Sequence, residues 1–398
     1  MGVGNKMGNG NGASVSSREA DAKKKEGDRR TPAGPLTLPP EAREAAGRVG
    51  RRRRRELGRA KPEPDKAADA PLLVGVQLNA LLTGLGRRLR SVDEQRASIR
   101  AFFDRLSYED QELVFKHVYN VFSEKYDLHM EDTGHYPAIK RLITKEISVH
   151  HFRFPILDMS AGTGVPIKYL LLELNRQLIT EGRSIEFITP EEQPSNICPV
   201  YVNDLSEKML DRSKQRMTTE FDRELHKETE ELSLIVPPIL DSNERLRISY
   251  MNHSFRSLQQ RHSRLKEKIG TILVSQTFHI VSPQDKEQLA STIDWALAPG
   301  GRVIILEEFA WRARTHSSHQ FLPVLKFIES IATPLPRKAD IISKFKDSEG
   351  RPYDMVARST ERIDTLYRDH EMTITILQKP PVSKPGGGGM AGLDSFGL

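Results

Sequence analysis

The feature that most constrains the fold is an alternation of short apolar runs and helical stretches that begins at Phe154. Strands of repeated βαβ units pair in parallel and are covered on both faces, so they read as continuous apolar runs. Seven strands are predicted, at Pro155–Met159, Val200–Asn203, Arg247–Met251, Thr271–Ser275, Arg302–Glu307, Met355–Ile363 and Met372–Gln378. We therefore predict an α/β, Rossmann-like fold with a mostly parallel seven-stranded sheet that ends in an antiparallel hairpin.

Residues 1–70 have a different composition, rich in Gly, Pro, Ala, Lys and Arg. They hold 17 Lys and Arg against 10 Asp and Glu, an excess of 7, while the whole chain carries +6. The basic charge therefore belongs to this segment, which we expect to be a disordered tail. Its blocks Lys23–Lys25 and Arg51–Arg55 are either part of a solvated linker, a nuclear import signal or an RNA contact.

Residues 71–130 form the next predicted unit, a helical cap. Apolar residues recur there at spacings of three and four, as on the buried face of a helix. Within it, Leu72–Leu89 is either a core helix of the cap or a docking helix. Residues 131–380 are predicted to form the ligand-binding domain and residues 381–398, with the run Gly386–Gly389, a flexible tail.

Several classes of protein are excluded by composition. Cys198 is the single cysteine, so an intramolecular disulfide and a thiolate zinc site are ruled out. No apolar run approaches the roughly 20 residues that span a bilayer. We expect a soluble protein of the cytoplasm, with the nucleus as the alternative, and no membrane partner. The histidines show no metal-binding spacing, and the Gly-x-Ser-x-Gly motif of many hydrolases is missing.

The most informative segment is the turn after the first predicted strand. An open α/β sheet binds ligands where a parallel strand passes through such a turn into a helix. Its two glycines let the backbone turn sharply and approach a ligand closely, and Pro166 suits the first turn of the helix that follows. The predicted ligand-binding residues of this turn are Asp158, Ser160, Ala161, Gly162, Thr163 and Gly164.

Two ligand classes use such a turn, and two residues separate them. The third glycine of the dinucleotide motif Gly-x-Gly-x-x-Gly is replaced by Ile167. A carboxylate at Asp158 would repel a pyrophosphate, whereas it could accept hydrogen bonds from an ammonium group or from water around a cationic cofactor. A cationic cofactor is favoured, and an NAD-dependent oxidoreductase is the weaker alternative.

An acid followed by alternating glycines resembles the first motif of the class I S-adenosylmethionine-dependent methyltransferases, with Ser160 in place of the usual first glycine. Later motifs of that family follow in order, so the resemblance extends from Tyr126 to Lys379. It implies S-adenosylmethionine as the cofactor and transfer of its methyl group to a small organic acceptor.

The second strand ends in Asn203-Asp204-Leu205, which resembles the acidic strand end of the same family. The resemblance implies that the Asp204 carboxylate holds both ribose hydroxyls, with Leu205 beside it. On sequence alone, Asp204 could instead cap the next helix. Asp204 follows Gly164 by 40 residues, where roughly 20 is usual, so we expect an insertion over Glu181–Pro199.

The resemblance implies further cofactor contacts in three other segments. Asn252 and His253 stand at the third strand end, where the family often has an acid that binds the adenine amino group. Gln276 lies in the loop after the fourth strand, which faces the transferred methyl group. Leu297–Glu307 matches the turn and strand that follow, and Tyr126 is the aromatic residue expected to cover the cofactor.

His279 is the leading candidate for a catalytic contact with the acceptor, ahead of His253, His129 and His135, although a structural role for His279 is the alternative. The acceptor pocket is expected to involve Val74–Phe122 and Ala310–Lys338. No metal site is predicted.

Two other functions remain open from the sequence. The basic tail, the only predicted nucleic-acid contact, would suit an RNA or protein methyltransferase. Ser160 and the acid-free third strand end would suit a binding protein that kept the fold and lost catalysis. The sequence gives no indication of the oligomeric state.

Overall fold

The computed structural model describes residues 92–182, 185–188, 197–231, 240, 245–313, 328, 331, 341–364 and 368–382. Some predictions concern residues outside these ranges and stay predictions. They are those for the N-terminal tail with Lys23–Lys25 and Arg51–Arg55, for Leu72–Leu89, for most of Ala310–Lys338, for part of Glu181–Pro199 and for Gly386–Gly389.

Seven strands form one sheet in the described part of the chain. They are β1 (Ile156–Asp158), β2 (Cys198–Asn203), β3 (Leu246–Met251), β4 (Ile269–Ser275), β5 (Leu297–Ala313), β6 (Asp354–Asp364) and β7 (Arg368–Gln378). Their order is β3-β2-β1-β4-β5-β7-β6, with β1 to β5 parallel and β7 antiparallel to both of its neighbours. The predicted fold class and the seven predicted strands are confirmed.

Helices precede the sheet and connect its parallel strands. They are α1 (Val92–Phe103), α2 (Tyr108–Asp132), α3 (His135–Glu146), α4 (Val165–Glu181), α5 (Glu207–Arg216), α6 (Asp222–Glu231), α7 (Phe255–Arg261) and α8 (Pro283–Ala296). A π-helical turn, Met217–Phe221, joins α5 to α6. None of the helices within the described ranges has the length and apolar character needed to cross a membrane.

Serine side chains cap the start of four of these helices, and one of them is Ser254, which accepts a hydrogen bond from the third residue of α7. Ser107 accepts a hydrogen bond from the third residue of α2, Ser206 does so for α5, and Ser282 does so for α8. Such a cap satisfies a backbone amide that has no partner within the helix. Since α5 follows β2 and α8 follows β4, both of these helices start at the carboxyl edge of the sheet.

The core lies on both faces of the sheet. In β1, Ile156 packs into the cluster beneath α3, α4 and α6, while Leu157 packs into the cluster beneath α7 and α8. Side chains of a strand alternate between faces, so a strand covered on both sides must be apolar throughout. This explains why Ile156 and Leu157 are apolar, and Asp158, the third buried residue of β1, is the polar exception at the end of the strand.

The order in which the chain adds strands to the sheet changes direction between β1 and β4. From β1 it builds outward through β2 to β3, and then it returns to place β4 on the other side of β1. In open α/β sheets, the crevice at the carboxyl ends of the two strands that flank such a reversal is where ligands bind. The sheet order therefore directs attention to the residues that follow β1, β2 and β4.

Candidate functional site

The turn after β1 has the backbone shape that its two glycines predict. Gly162 has φ of 53° and Gly164 has φ of 81°, in the left-handed region that favours glycine. A Cβ atom on Gly164 would lie inside van der Waals contact with Oγ of Ser213 on α5. Gly164 therefore lets α5 pack closely, whereas Gly162 leaves the backbone open toward the ring of Tyr126, 3.9 Å from the position of a Cβ atom.

Asp204 links this turn to the start of α5. One carboxyl oxygen accepts the backbone amide of Gly162 at 2.8 Å and the other accepts that of Ser206, also at 2.8 Å. Ser206, and not Asp204, caps α5. Burial raises the pKa of Asp204 to about 6, although both amides favour its ionised form. A half-buried carboxylate with lone pairs remaining on each oxygen is suited to receive hydroxyl groups.

A cavity of about 130 Å³ opens beside this turn. The described residues that line it follow the ends of β1, β2, β3 and β4, lie on one face of α2, or belong to the first turns of α5, α7 and α8. Among the predicted site residues, the lining includes Tyr126, Ser160, Gly162, Asp204, Leu205, His253 and Gln276. A smaller adjoining space of about 20 Å³ adds Ala161 and Thr163. Nine of the predicted residues are thus brought together by the fold.

Four predicted residues lie outside this lining in the described part of the chain: Asp158, Gly164, Asn252 and His279. Asp158 is fully buried, and burial raises the pKa of its carboxyl well above the usual range, which favours the neutral acid. The Asn252 side chain donates to the backbone carbonyls of Asp204 and Leu205, at 2.9 Å each, and so supports the loop between β2 and α5. Direct contact of either residue with a cofactor stays a prediction.

No family model matches this chain, and no curated protein does either. Solved structures do match. One is a 1,6-didemethyltoxoflavin-N1-methyltransferase from Burkholderia thailandensis with S-adenosylhomocysteine (15% identity, 74% of this chain and 92% of that one, TM-score 0.37). Others are the N-methyltransferase NodS from Bradyrhizobium japonicum with S-adenosylhomocysteine (11%, 56% and 77%, 0.32) and an S-adenosylmethionine-dependent methyltransferase from Anabaena variabilis (13%, 67% and 93%, 0.36).

The mostly parallel sheet of seven strands, its antiparallel hairpin of β6 and β7 and the glycine turn after β1 are those that the sequence motifs imply, and the structure adds the strand order β3-β2-β1-β4-β5-β7-β6. The chain has the class I S-adenosylmethionine-dependent methyltransferase fold.

Helix α2 covers the cavity of this methyltransferase fold. Tyr119 and Tyr126 lie on its inner face with ring centroids 6.4 Å apart, and both line the cavity. Burial, together with nearby negative charge that includes Asp204, raises the pKa of both phenols well above the usual range. Both therefore stay neutral hydroxyl groups at the cavity wall. The sequence motifs identified Tyr126 and missed Tyr119. In the sequence, a buried tyrosine that lines a cavity cannot be distinguished from one that packs in the core.

A polar cluster fastens α2 to the glycine turn. Asp127 accepts the hydroxyls of Thr163 and Tyr136, and its second oxygen accepts the Arg216 guanidinium at 2.7 Å. Arg216 also donates to the backbone carbonyl of Thr163. Burial acts to raise the pKa of Asp127, but the hydrogen bond from Thr163 and the charge of Arg216 outweigh it and hold the pKa below its usual range. Sequence reasoning missed Asp127 and Arg216, because they meet across 89 residues.

Glu307 of β5 holds the loop after β4 through hydrogen bonds to three of its residues. One carboxyl oxygen accepts the backbone amides of Thr277 and Phe278, at 3.1 and 2.7 Å, and the other lies 2.6 Å from Nδ1 of His279. The His279 side chain is 12% exposed. This geometry gives His279 a structural role in the loop, and its predicted contact with an acceptor stays a prediction.

Gln276 stands at the tip of that loop with φ of 54°, a backbone conformation that costs a non-glycine residue about 1–3 kcal/mol. Its side chain lines the cavity and lies 3.1 Å from the sulfur of Met372 on β7. Such strain is retained where surrounding bonds impose it. Here the amide of Gln276 donates to the carbonyl of Leu306 at 2.8 Å.

The other three candidate histidines, His129, His135 and His253, lie in different parts of the fold. His129 on α2 stacks against Phe122 with centroids 5.7 Å apart. His135 is buried at the start of α3, 3.0 Å from Glu308 of β5. His253 lines the cavity, and burial followed by the nearby His262 and Arg261 lowers its pKa, so its imidazole is neutral at pH 7. Among the described residues, no group of three or more His, Cys, Asp or Glu is placed to hold a metal ion.

Proposed function

We propose that this chain binds S-adenosylmethionine in the cavity beneath α2 and transfers its methyl group to a small organic acceptor. The observation that carries the proposal is the arrangement of Asp204, which is bonded to the amide of Gly162 at 2.8 Å while its carboxylate lines an open cavity. The carboxylate lies beside a glycine turn, at the crevice where the strand order changes direction. There it can accept hydrogen bonds from the two ribose hydroxyls of a nucleoside.

The chemistry of the lining fits this cofactor. Asp204 already accepts one amide on each oxygen and has lone pairs left for two hydroxyl donors. Gly162 offers backbone without a side chain, so a ligand can lie against the turn. The aromatic faces of Tyr119 and Tyr126 supply a surface that favours a cation. Two of the similar solved structures hold S-adenosylhomocysteine, the demethylated form of this cofactor.

When bound, S-adenosylmethionine supplies an activated methyl group together with its own leaving group. The chain itself would have to hold the cofactor and the acceptor, orient one toward the other and exclude water. The Glu307 network fixes the loop that carries Gln276, and the Asp127 cluster fixes α2 over the cavity. Rigid positioning of this kind can lower the barrier of a transfer by several kcal/mol.

A small acceptor is favoured over a macromolecule because α2 covers the site. Tyr126 and Met130 from the C-terminal part of α2 and Tyr136 from α3 line the space beside Gly162. An acceptor must reach a cavity that is roofed by helices, which suits a molecule of limited size. The printed name of the Burkholderia enzyme also gives it a small-molecule substrate.

Calorimetry with the full-length chain tests the proposal. S-adenosylhomocysteine should bind the unmodified protein and should bind Asp204→Asn at least about tenfold more weakly, because a charge-assisted acceptor is lost. Asp211→Asn, an exposed residue of α5, is the matched control and should bind like the unmodified protein. Absence of binding by the unmodified protein would refute the cofactor assignment.

The acceptor is addressed by a second measurement with a methyl-labelled donor and a cell extract. Label is expected in the fraction of small molecules. Label in precipitated RNA or protein would contradict the small acceptor, and binding without any transfer would indicate a protein that has lost catalysis.

A further inference from the structure

A hydrogen bond between two side chains joins the glycine turn to the loop after β4. The hydroxyl groups of Ser160 and Thr277 form it across 117 residues of the chain. The two segments follow β1 and β4, which are neighbours in the sheet, and both line the cavity. Ser160 is also the position at which the chain departs from the methyltransferase motif, where glycine is usual.

The direction of this bond follows from the second partner of Thr277. The Thr277 hydroxyl lies 2.9 Å from the backbone carbonyl of Ser275, which can only accept. A hydroxyl group has one proton, so Thr277 donates to Ser275 and accepts from Ser160. Thr277 is buried, so water competes little for either bond.

Ser160 can serve as an anchor because the backbone on both sides of it is fixed. The amide of Met159 donates to the carbonyl of Leu273 on β4 at 2.9 Å. The amide of Ala161 donates to the carbonyl of Asn203 on β2, also at 2.9 Å, and the Asn203 side chain donates to the carbonyl of Met159 at 3.0 Å. Two neighbouring strands therefore set the position from which the Ser160 side chain reaches out.

The residue that this arrangement holds is Gln276, which stands between Ser275 and Thr277 and has a positive φ. The bond from the Thr277 hydroxyl to Ser275 spans Gln276, and the bond from Ser160 keeps Thr277 where it can make this contact. Strained backbone persists only where its surroundings impose it. The Ser160 bond is therefore part of what keeps Gln276 at the cavity wall.

Both parts of the cavity are lined by the two joined segments. The larger space and the smaller adjoining one share Ser160 and Gly162 on one side, and Ser275 and Gln276 on the other. A ligand that fills either space lies against both segments, so its fit depends on the distance between them. A bond that fixes this distance before binding reduces the cost of ordering the site around the ligand.

We propose that Ser160 is a positioning residue, whose hydroxyl holds the loop after β4 against the glycine turn and keeps Gln276 facing the ligand. This inference rests on the function proposed above, because it takes the cofactor to bind between these two segments. Serine in place of the usual glycine then serves the site and is not a sign of lost catalysis.

A double-mutant cycle on the full-length chain tests the proposal, with the affinity for S-adenosylhomocysteine measured by calorimetry. Ser160→Ala should weaken binding about three- to tenfold, the range expected for one lost hydrogen bond. Thr277→Val should weaken binding at least as much, since it also removes the bond to Ser275. The double variant should bind within about twofold of Thr277→Val, because both changes remove the same bond.

Two further variants separate the hydroxyl bond from other effects of substitution. Thr277→Ser keeps the hydroxyl and should bind within about twofold of the unmodified protein. Ser160→Gly, which restores the usual residue of the family, should weaken binding as Ser160→Ala does and should not improve it. Ser291→Ala, at an exposed position of α8, is the matched control and should bind like the unmodified protein.

Unchanged affinity in Ser160→Ala, even with a lower stability to urea, would overturn the proposal, because the bond would then be a structural contact only. Losses that add in the double variant would also overturn it, since Ser160 would then act on the ligand without Thr277. Failure of the unmodified protein to bind S-adenosylhomocysteine would overturn the proposed function itself, and this inference with it.

Discussion

Replacing Glu307 with Gln should destabilise the fold by an amount that the hydrogen bonds of its carboxylate define. Four donors face this buried group. The amides of Thr277 and Phe278 point at one oxygen, and Nδ1 of His279 and the amide of Glu308 point at the other. A carboxylate can accept from all four, because both of its oxygens are acceptors.

A glutamine side chain has one acceptor oxygen and one amino group, so either orientation turns a donor toward two of the four donors. Each buried donor that loses its partner costs about 1–3 kcal/mol. With two donors affected, we therefore expect the free energy of unfolding of Glu307→Gln to fall by about 2–6 kcal/mol. The buried position, with Glu307 only 1% exposed, leaves little room for water to restore the lost bonds.

Urea unfolding followed by circular dichroism measures this loss. Glu287→Gln is the matched control, since the Glu287 side chain is 73% exposed and its ion pair with Lys344 should contribute less than about 1 kcal/mol. A change below about 0.5 kcal/mol for Glu307→Gln would refute the view that this carboxylate holds the loop after β4.

Three further outcomes follow from the site. Gly164→Ala should lower the free energy of unfolding by about 1–3 kcal/mol in the same urea assay, because of the positive φ and the contact with Ser213. Affinity for S-adenosylhomocysteine should decline as pH falls through about 6, where the buried Asp204 carboxyl takes up a proton and can no longer accept two hydroxyls, and Asp204→Asn should remove this pH dependence. Asp127→Asn should destabilise the chain by about 1–3 kcal/mol at pH 7 in thermal unfolding. Because the pKa of Asp127 is depressed in the folded state, that difference should be present above the unfolded pKa of about 4 and shrink as pH falls below it.

Much of the fold could be predicted because its signals are local. The run Ile272–Val274 is apolar over its whole length, which is typical of a strand that is covered on both faces. The turn with Gly162 and Gly164 needs backbone conformations that few other residues adopt, so its sequence marks its place. Such features need no knowledge of distant contacts.

The parts of the site that sequence reasoning missed depend on pairs of residues far apart in the chain. Asp127 meets Thr163 across 36 residues, and Glu307 meets Phe278 across 29. An acid on a helix or strand carries no local sign of the donor that it will face after folding.

The position of α2 has a consequence for how the cavity fills and empties. Glu112 and Tyr126 are 14 residues apart on one rigid rod, about 21 Å along its axis. Near Tyr126 the helix is held by the Asp127 cluster, and toward its start by the exposed pair Lys116 with Glu207 and by Arg256, which lies over the ring of Tyr108. Because the Asp127 cluster joins α2 directly to the glycine turn, we expect α2 to stay in place over Gly162, so that a ligand enters and leaves the cavity on a side away from this cluster.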